Sequence, residues 1–69
     1  MSSVSYPLGY YARSVARRDR IPFADAVRIL ARDAGASDAD SASVDDLSSR
    51  MMIQHDDGSL EFIGGRWVD

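Results

Sequence analysis

Residues 47–68, LSSRMMIQHDDGSLEFIGGRWV, decide the fold of this chain. An amphipathic segment ends in an apolar cluster at residues 51–53, the chain turns at Asp57-Gly58, and a short strand follows. The pair Gly64-Gly65 predicts a second turn, because a two-residue hairpin loop needs positive φ and glycine adopts it most freely. The strand beyond that turn holds the only tryptophan, Trp67. The stretch therefore predicts a domain closed by a C-terminal β-hairpin.

Apolar side chains at helical spacing predict two helices before this stretch. The first spans about Leu8 to Asp19. The second begins after Pro22 and stops at Gly35, a natural helix end. One face of the first helix is formed by Leu8, Tyr11, Ala12, Val15 and Ala16. The inner face of the second is formed by Phe23, Ala26, Val27, Leu30, Ala31 and Ala34. This spacing buries one side of a helix against a core.

A polar connector at residues 36–43 leads to a predicted third helix. Ser43 caps it, and Asp46 takes the place of the usual capping-box glutamate. Its predicted inner stripe consists of Val44, Leu47 and Met51. The remaining apolar residues are left for short strands: Ile53, Leu60, Phe62, Ile63, Trp67 and Val68.

The domain organisation follows from these segments. We expect residues 1–7 to be a flexible N-terminus and residues 8–69 to form a single α+β domain. Its three helices would take a winged-helix-like arrangement closed by the C-terminal hairpin. We expect Trp67 to pack near Leu30 and Leu47, because a large aromatic side chain has few other places in so small a domain.

Composition excludes several classes of protein. A chain of 69 residues has room for one domain. It has no cysteine, so disulfides and thiolate metal sites are excluded. No apolar run approaches the roughly 20 residues that span a bilayer, and residues 1–7 lack the basic stretch and apolar core of a signal peptide. We therefore expect a cytoplasmic protein.

Candidate catalytic and metal-binding groups are few. His55 is the only histidine, and it precedes Asp56 and Asp57 in a predicted turn. This triplet could hold a cation weakly, but metal sites use three or four converging ligands, so a solvated turn is the favoured interpretation. None of the ten serines belongs to a nucleophile motif. We expect no enzymatic activity, no cofactor and no metal.

Three tyrosines, Tyr6, Tyr10 and Tyr11, lie near the N-terminus and leave two interpretations open. In the favoured one, Tyr11 packs in the core and Tyr10 covers an edge. In the other, Tyr6 and Tyr10 belong to an exposed binding patch, since tyrosine is enriched at protein interfaces.

The order of these segments resembles the winged helices of the HARE type, among them the amino-terminal domain of the RNA polymerase delta subunit. The matching stretches are Ile21-Pro22-Phe23, Ile29-Leu30-Ala31 with Gly35, Asp57-Gly58, Leu60–Ile63 and Arg66-Trp67-Val68. Two features differ: the connector after Gly35 is built differently, and the long acidic tail behind the domain of the polymerase subunit is not part of this sequence. The resemblance implies a transcription-associated module that contacts RNA polymerase or a regulator.

Charge is divided unevenly along the chain. Residues 1–32 hold six arginines and two aspartates, a net charge of +4, whereas residues 33–61 hold one arginine and eight acidic residues, a net charge of −7. Such asymmetry can orient a partner before contact. We therefore expect the arginine face of the first helix and the acidic face of the third to be the contact surfaces for a protein partner. The candidate contact residues are Arg13, Arg17, Arg18, Arg20, Asp45, Asp46 and Arg50.

The third helix is poorly suited to the major groove of DNA. Asp45 and Asp46 near its start repel phosphates, and phosphate contacts supply most of the affinity for DNA. We expect DNA binding to be weak or non-specific. Two alternatives stay open: a DNA-binding regulator, monomeric or dimeric, that uses the arginines of the first helix, and a small phage or mobile-element inhibitor of a host protein.

Overall fold

The computed structural model of the chain describes residues 5–63. The elements, in chain order, are β1 (Ser5–Pro7), α1 (Leu8–Asp19), α2 (Phe23–Asp33), α3 (Val44–Ser48), β2 (Met51–Gln54) and β3 (Leu60–Phe62). The strands form one antiparallel sheet in the order β1-β2-β3. The predicted α+β class is confirmed. No helix among residues 5–63 combines the length and the apolar character needed to cross a membrane.

The bounds predicted for the first two helices are confirmed. Each helix begins directly after a proline, whose fixed φ suits the entry to a helix. Helix α1 ends at Asp19 and is capped by Arg20, whose φ of 58° and ψ of 47° are left-handed. The peptide N–H of Arg20 donates to the carbonyl of Ala16. Helix α2 ends before Gly35, whose φ of 93° is the conformation that stops a helix.

Helix α3 is shorter than the sequence predicts. The predicted cap is confirmed, since the Asp46 N–H donates to the Ser43 hydroxyl at 3.1 Å. The helix nevertheless ends at Ser48, and Met51 begins β2. Placing Met51 on the inner stripe of the helix was wrong, because it is 43% exposed and the next residue, Met52, is fully buried. Two adjacent methionines are compatible with both the helical period of about 3.6 residues and the strand period of two. In the structure they follow the strand period, in which neighbouring side chains point to opposite faces.

Residues 5–7, which the sequence assigns to a flexible N-terminus, form strand β1. Cross-strand register places Tyr6 opposite Met52, and Met52 opposite Phe62. Met52 and Phe62 are buried, so this row faces the helices. Strands β2 and β3 are joined by the predicted Asp57-Gly58 turn, where Gly58 has a φ of 90°. The predicted hairpin at Gly64-Gly65 and the strand with Trp67 lie outside the described residues.

The core includes residues of the connector between α2 and α3. Ala36 and Ala39 are buried and belong to the hydrophobic core, to which all three helices and strands β2 and β3 also contribute residues. The guanidinium of Arg28 fixes this segment, since its Nη1 donates to the carbonyls of Ala39 and Ala42 at 3.0 Å each. The connector is therefore packed against the core. Its Ser- and Asp-rich composition alone predicts only a polar loop.

Gly9 allows α1 to approach α3 closely. A Cβ built on Gly9 would lie 3.1 Å from the Cβ of Ser48 and 3.3 Å from its carbonyl oxygen. The glycine that lowers helix propensity at the start of α1 is therefore explained by packing.

Candidate partner-binding surface

The arginines of residues 5–63 fall into two groups. Four of them bond to other groups of the chain: Arg18, Arg28, Arg32 and Arg50. The other three are exposed residues on α1 or at its end: Arg13, Arg17 and Arg20. Their side chains make no hydrogen bond or ion pair with any residue between 5 and 63. These three define the arginine face of α1, and their charges are available to a partner.

Arg20 occupies a backbone conformation that costs free energy. The left-handed region is unfavourable for residues with a Cβ, by roughly 1–2 kcal/mol, and glycine usually takes this position at a helix end. Arg20 nevertheless holds φ 58° there, as the one positive-φ residue other than glycine among the described residues. Strained positions of this kind concentrate at functional sites. The strain is therefore consistent with use of the Arg20 side chain in binding.

Arg18 extends the arginine face but is engaged with its neighbour. Its Nε donates to the Asp19 carboxylate at 3.0 Å, and the two side chains are 73% and 47% exposed. This hydrogen bond raises the pKa of Arg18 above its ordinary value. An exposed pair of this kind contributes little to stability, so an acidic ligand can replace Asp19 without disturbing the fold.

Arg50, a predicted partner contact, is held inside the chain. Its guanidinium donates to both carboxylate oxygens of Asp38, at 3.0 and 2.7 Å, and to Asp46 at 2.9 Å. The Arg50 side chain is only 18% exposed. Its hydrogen bonds hold the pKa of Asp38 below the ordinary value of that carboxyl. Of the polar residues predicted on the third helix, Asp45 is exposed and Asp46 is committed to Arg50, so a binding role for them stays a prediction.

Three tyrosines form one ring cluster beside the arginine face. The Tyr6 and Tyr10 rings stack with centroids 4.1 Å apart and planes 16° apart. Tyr11 meets them edge-on, with centroids 6.0 and 5.3 Å away. Tyr6 and Tyr10 are 38% and 53% exposed, whereas Tyr11 packs against the core. The structure thus combines the two interpretations: Tyr11 belongs to the core, and its two neighbours form an exposed aromatic surface.

A cleft of about 420 Å³ opens next to this cluster, between α1, α2 and the β2–β3 hairpin. It is lined by Tyr10, Tyr11, Ser14, Val15, Arg18, Leu30, Gln54, Gly58 and Leu60. The sequence does not predict this cleft, because its walls come from α1, α2 and the β2–β3 hairpin, which are separate in the sequence. One local signal exists, since Tyr10, Ser14 and Arg18 follow one another at helical spacing.

The polar side chains of the predicted turn around His55 bond to one another and to the neighbouring strand. His55 Nε2 lies 2.7 Å from the Glu61 carboxylate, and both side chains are about half exposed. The Asp57 carboxylate accepts from the Ser59 hydroxyl and N–H, which lowers its pKa. Among residues 5–63, no three His, Asp or Glu side chains converge as metal ligands would.

Comparison with known proteins gives no relative from which a function can be transferred. No protein-family model matches the chain, and neither a curated protein nor a solved structure is significantly similar to it.

Proposed function

We propose that the chain is a small, non-catalytic module that binds an acidic surface of a protein partner through the arginine face of α1. The observation that carries this proposal is the division of the arginines. Arg28 and Arg50 hold the connector, and Arg32 forms an exposed pair with Asp40, whereas Arg13, Arg17 and Arg20 lie on one exposed face without a partner among the described residues. Clustered charges steer association even where each ion pair contributes little.

The choice of protein over DNA rests on α3. That helix has five residues, and Asp45 and Asp46 occupy its first turn. An element so short and so acidic offers neither the length nor the donors with which a recognition helix reads base edges. A DNA-binding regulator that uses the arginine face alone is the alternative, and it predicts binding through phosphates without sequence preference.

We further propose a winged-helix-like arrangement and a partner in the transcription machinery, RNA polymerase or a regulator. The support is the resemblance of the segment order to HARE winged helices, together with the three helices and the β2–β3 hairpin. Strand β1 enters the sheet from before α1, so the arrangement is not a simple copy of helices followed by a hairpin.

A capture experiment with charge variants tests the proposed function. The wild-type chain, the double variant Arg13→Glu with Arg17→Glu, and Asp45→Arg would each be immobilised, and retained proteins quantified by mass spectrometry. Asp45→Arg is the control because it alters the charge of α3 and leaves the Asp46–Arg50 pair in place.

We expect a partner that wild type and Asp45→Arg retain and the double arginine variant loses, with binding that falls as salt rises. The thermal midpoint of the double variant should stay close to that of wild type, because both side chains are exposed. A partner lost with Asp45→Arg and kept by the double variant would place the contact on α3.

A further inference from the structure

The cleft beside α1 has one apolar wall against which a single apolar side chain could pack. Val15, Leu30 and Leu60 are half-buried apolar residues of its lining, and the Tyr10 and Tyr11 rings complete the apolar part. Polar groups of Ser14, Arg18 and Gln54 also line it. More of the accessible lining is polar than apolar, so the cleft combines an apolar wall with polar groups that can fix the orientation of a ligand.

The aromatic wall of the cleft is ordered before any ligand arrives. Tyr10 stacks on Tyr6 and meets Tyr11 edge-on, so its ring is held on two sides. A ring fixed in this way loses little side-chain entropy on binding, which favours affinity. Its 53% exposed surface nevertheless remains open to a ligand.

Positive charge surrounds the helical side of the cleft. At 100° per residue, Arg17 lies beside Tyr10 and Ser14 on one flank of α1, and Arg18 lies beside Ser14 on the other. Arg13 is one turn from Arg17 on the same flank. The opposite side of the cleft is the β2–β3 turn, where Gly58 follows the exposed residues Asp56 and Asp57. A ligand that fits must therefore be acidic near α1 and need not be acidic throughout.

We propose that this cleft receives one apolar side chain of an acidic segment in the protein partner. This inference rests on the proposed function and adds one apolar contact to it. Carboxylates of the segment bind Arg17 and Arg18, and an apolar residue between them, which we call the anchor, enters the cleft. A nucleic acid fits less well, because its charge is uniform and the acidic turn repels a continuous phosphate chain.

The Asp19 carboxylate competes with a ligand carboxylate for the guanidinium of Arg18. Its carboxylate now accepts from Arg18, and a ligand carboxylate would replace it. Asp19→Asn should therefore tighten an acidic peptide several-fold. Equal affinity for that variant and wild type would remove Arg18 from the contact.

The test uses fluorescence anisotropy with defined synthetic peptides and the full 69-residue chain. One peptide is acidic with a single central leucine, the second replaces the leucine with alanine, and a short oligothymidine serves as a nucleic-acid probe. The cleft is filled by Ser14→Phe, a change at an exposed residue that lines it. Ser37→Phe makes the same change at an exposed residue of the connector and is the matched control.

Wild type should bind the leucine peptide about tenfold more tightly than the alanine peptide, the effect of burying part of one leucine side chain. Ser14→Phe should remove that difference and Ser37→Phe should keep it. If both peptides bind wild type equally but Arg13→Glu with Arg17→Glu weakens both, the anchor is wrong and the proposed function stands. If the double variant binds both peptides as wild type does, the proposed function itself fails.

Two rival occupants are separated by the same samples. If oligothymidine binds more tightly than the leucine peptide, the cleft and its tyrosines serve a nucleic acid and the proposal is overturned. If Ser14→Phe shifts the emission of Trp67 to the red and the leucine confers no extra affinity, the cleft belongs to this chain's own tryptophan, and the proposal is equally overturned.

Discussion

The guanidinium of Arg50 binds both carboxylate oxygens of Asp38, with Nη1–Oδ1 and Nη2–Oδ2 distances of 3.0 and 2.7 Å. This bidentate pair joins the connector after α2 to the residue before β2, twelve positions along the chain. Arg50 also accepts the start of α1 on its backbone, since the Leu8 N–H donates to the Arg50 carbonyl at 2.8 Å. Arg50 therefore ties three parts of the fold together.

Asp38→Asn should lower the stability of the fold at neutral pH and make that stability less dependent on pH in the acidic range. The pKa of Asp38 is lowered in the folded state, so its contribution is present above the unfolded pKa and is lost as pH falls through the folded value. Thermal midpoints at pH 7 and pH 3 should show a gap between wild type and variant that narrows in acid. Asp33→Asn removes the same charge from an exposed position and should show a smaller effect. An unchanged gap at both pH values would contradict this role of the pair.

Arg20→Gly should stabilise the domain and weaken partner binding at the same time. Glycine relieves the left-handed strain at φ 58°, and after its own entropic cost the net gain is about 0.5–1 kcal/mol in the free energy of unfolding. Urea denaturation measures the gain, and the capture experiment measures the loss of binding. A variant that gains stability and binds normally would show that the Arg20 side chain is not used.

Trp67→Ala should destabilise the domain by roughly 3–5 kcal/mol, the cost of removing a core aromatic side chain. Trp67 lies outside the described residues, so this expectation rests on the sequence. Ile29→Ala, at a position 40% exposed on α2, should cost much less. Native fluorescence that is already red-shifted would contradict the burial of Trp67 near Leu30 and Leu47.

DNA binding should be weak and insensitive to sequence. Any affinity would come from phosphate contacts of the arginine face, which carry no sequence information. Titration of random and genomic duplexes at about 150 mM salt should stay well short of the roughly 10⁻⁸ M typical of specific binders. A sequence-selective complex in that range would favour the DNA-binding alternative.

Helices α1 and α2 could be predicted because the residues that define each helix lie within it or directly beside it in the sequence. The periodic apolar residues and the flanking Pro22 and Gly35 fix their bounds within one segment each. The end of α3 could not be predicted, since Met51 and Met52 fit both periods. Strand β1 could not be predicted either, because its pairing with β2 joins residues more than forty positions apart.

Some features of the candidate surface could likewise be predicted from the sequence, and others could not. The arginine face follows from spacing along one helix, and the structure leaves Arg13, Arg17 and Arg20 exposed. The internal role of Arg50 depends on Asp38, which tertiary folding brings close. The cleft needs α1, α2 and the β2–β3 hairpin together, so only its α1 wall has a local signal in the sequence.

NMR chemical-shift mapping of the labelled chain with its captured partner shows directly whether α1 is the binding surface. We predict the largest amide shifts within residues 10–20, and their disappearance in the variant Arg13→Glu with Arg17→Glu. Shifts confined to α3 or to the outer face of the sheet around Met51 and Ile63, with α1 unperturbed, would show that α1 is not the binding surface.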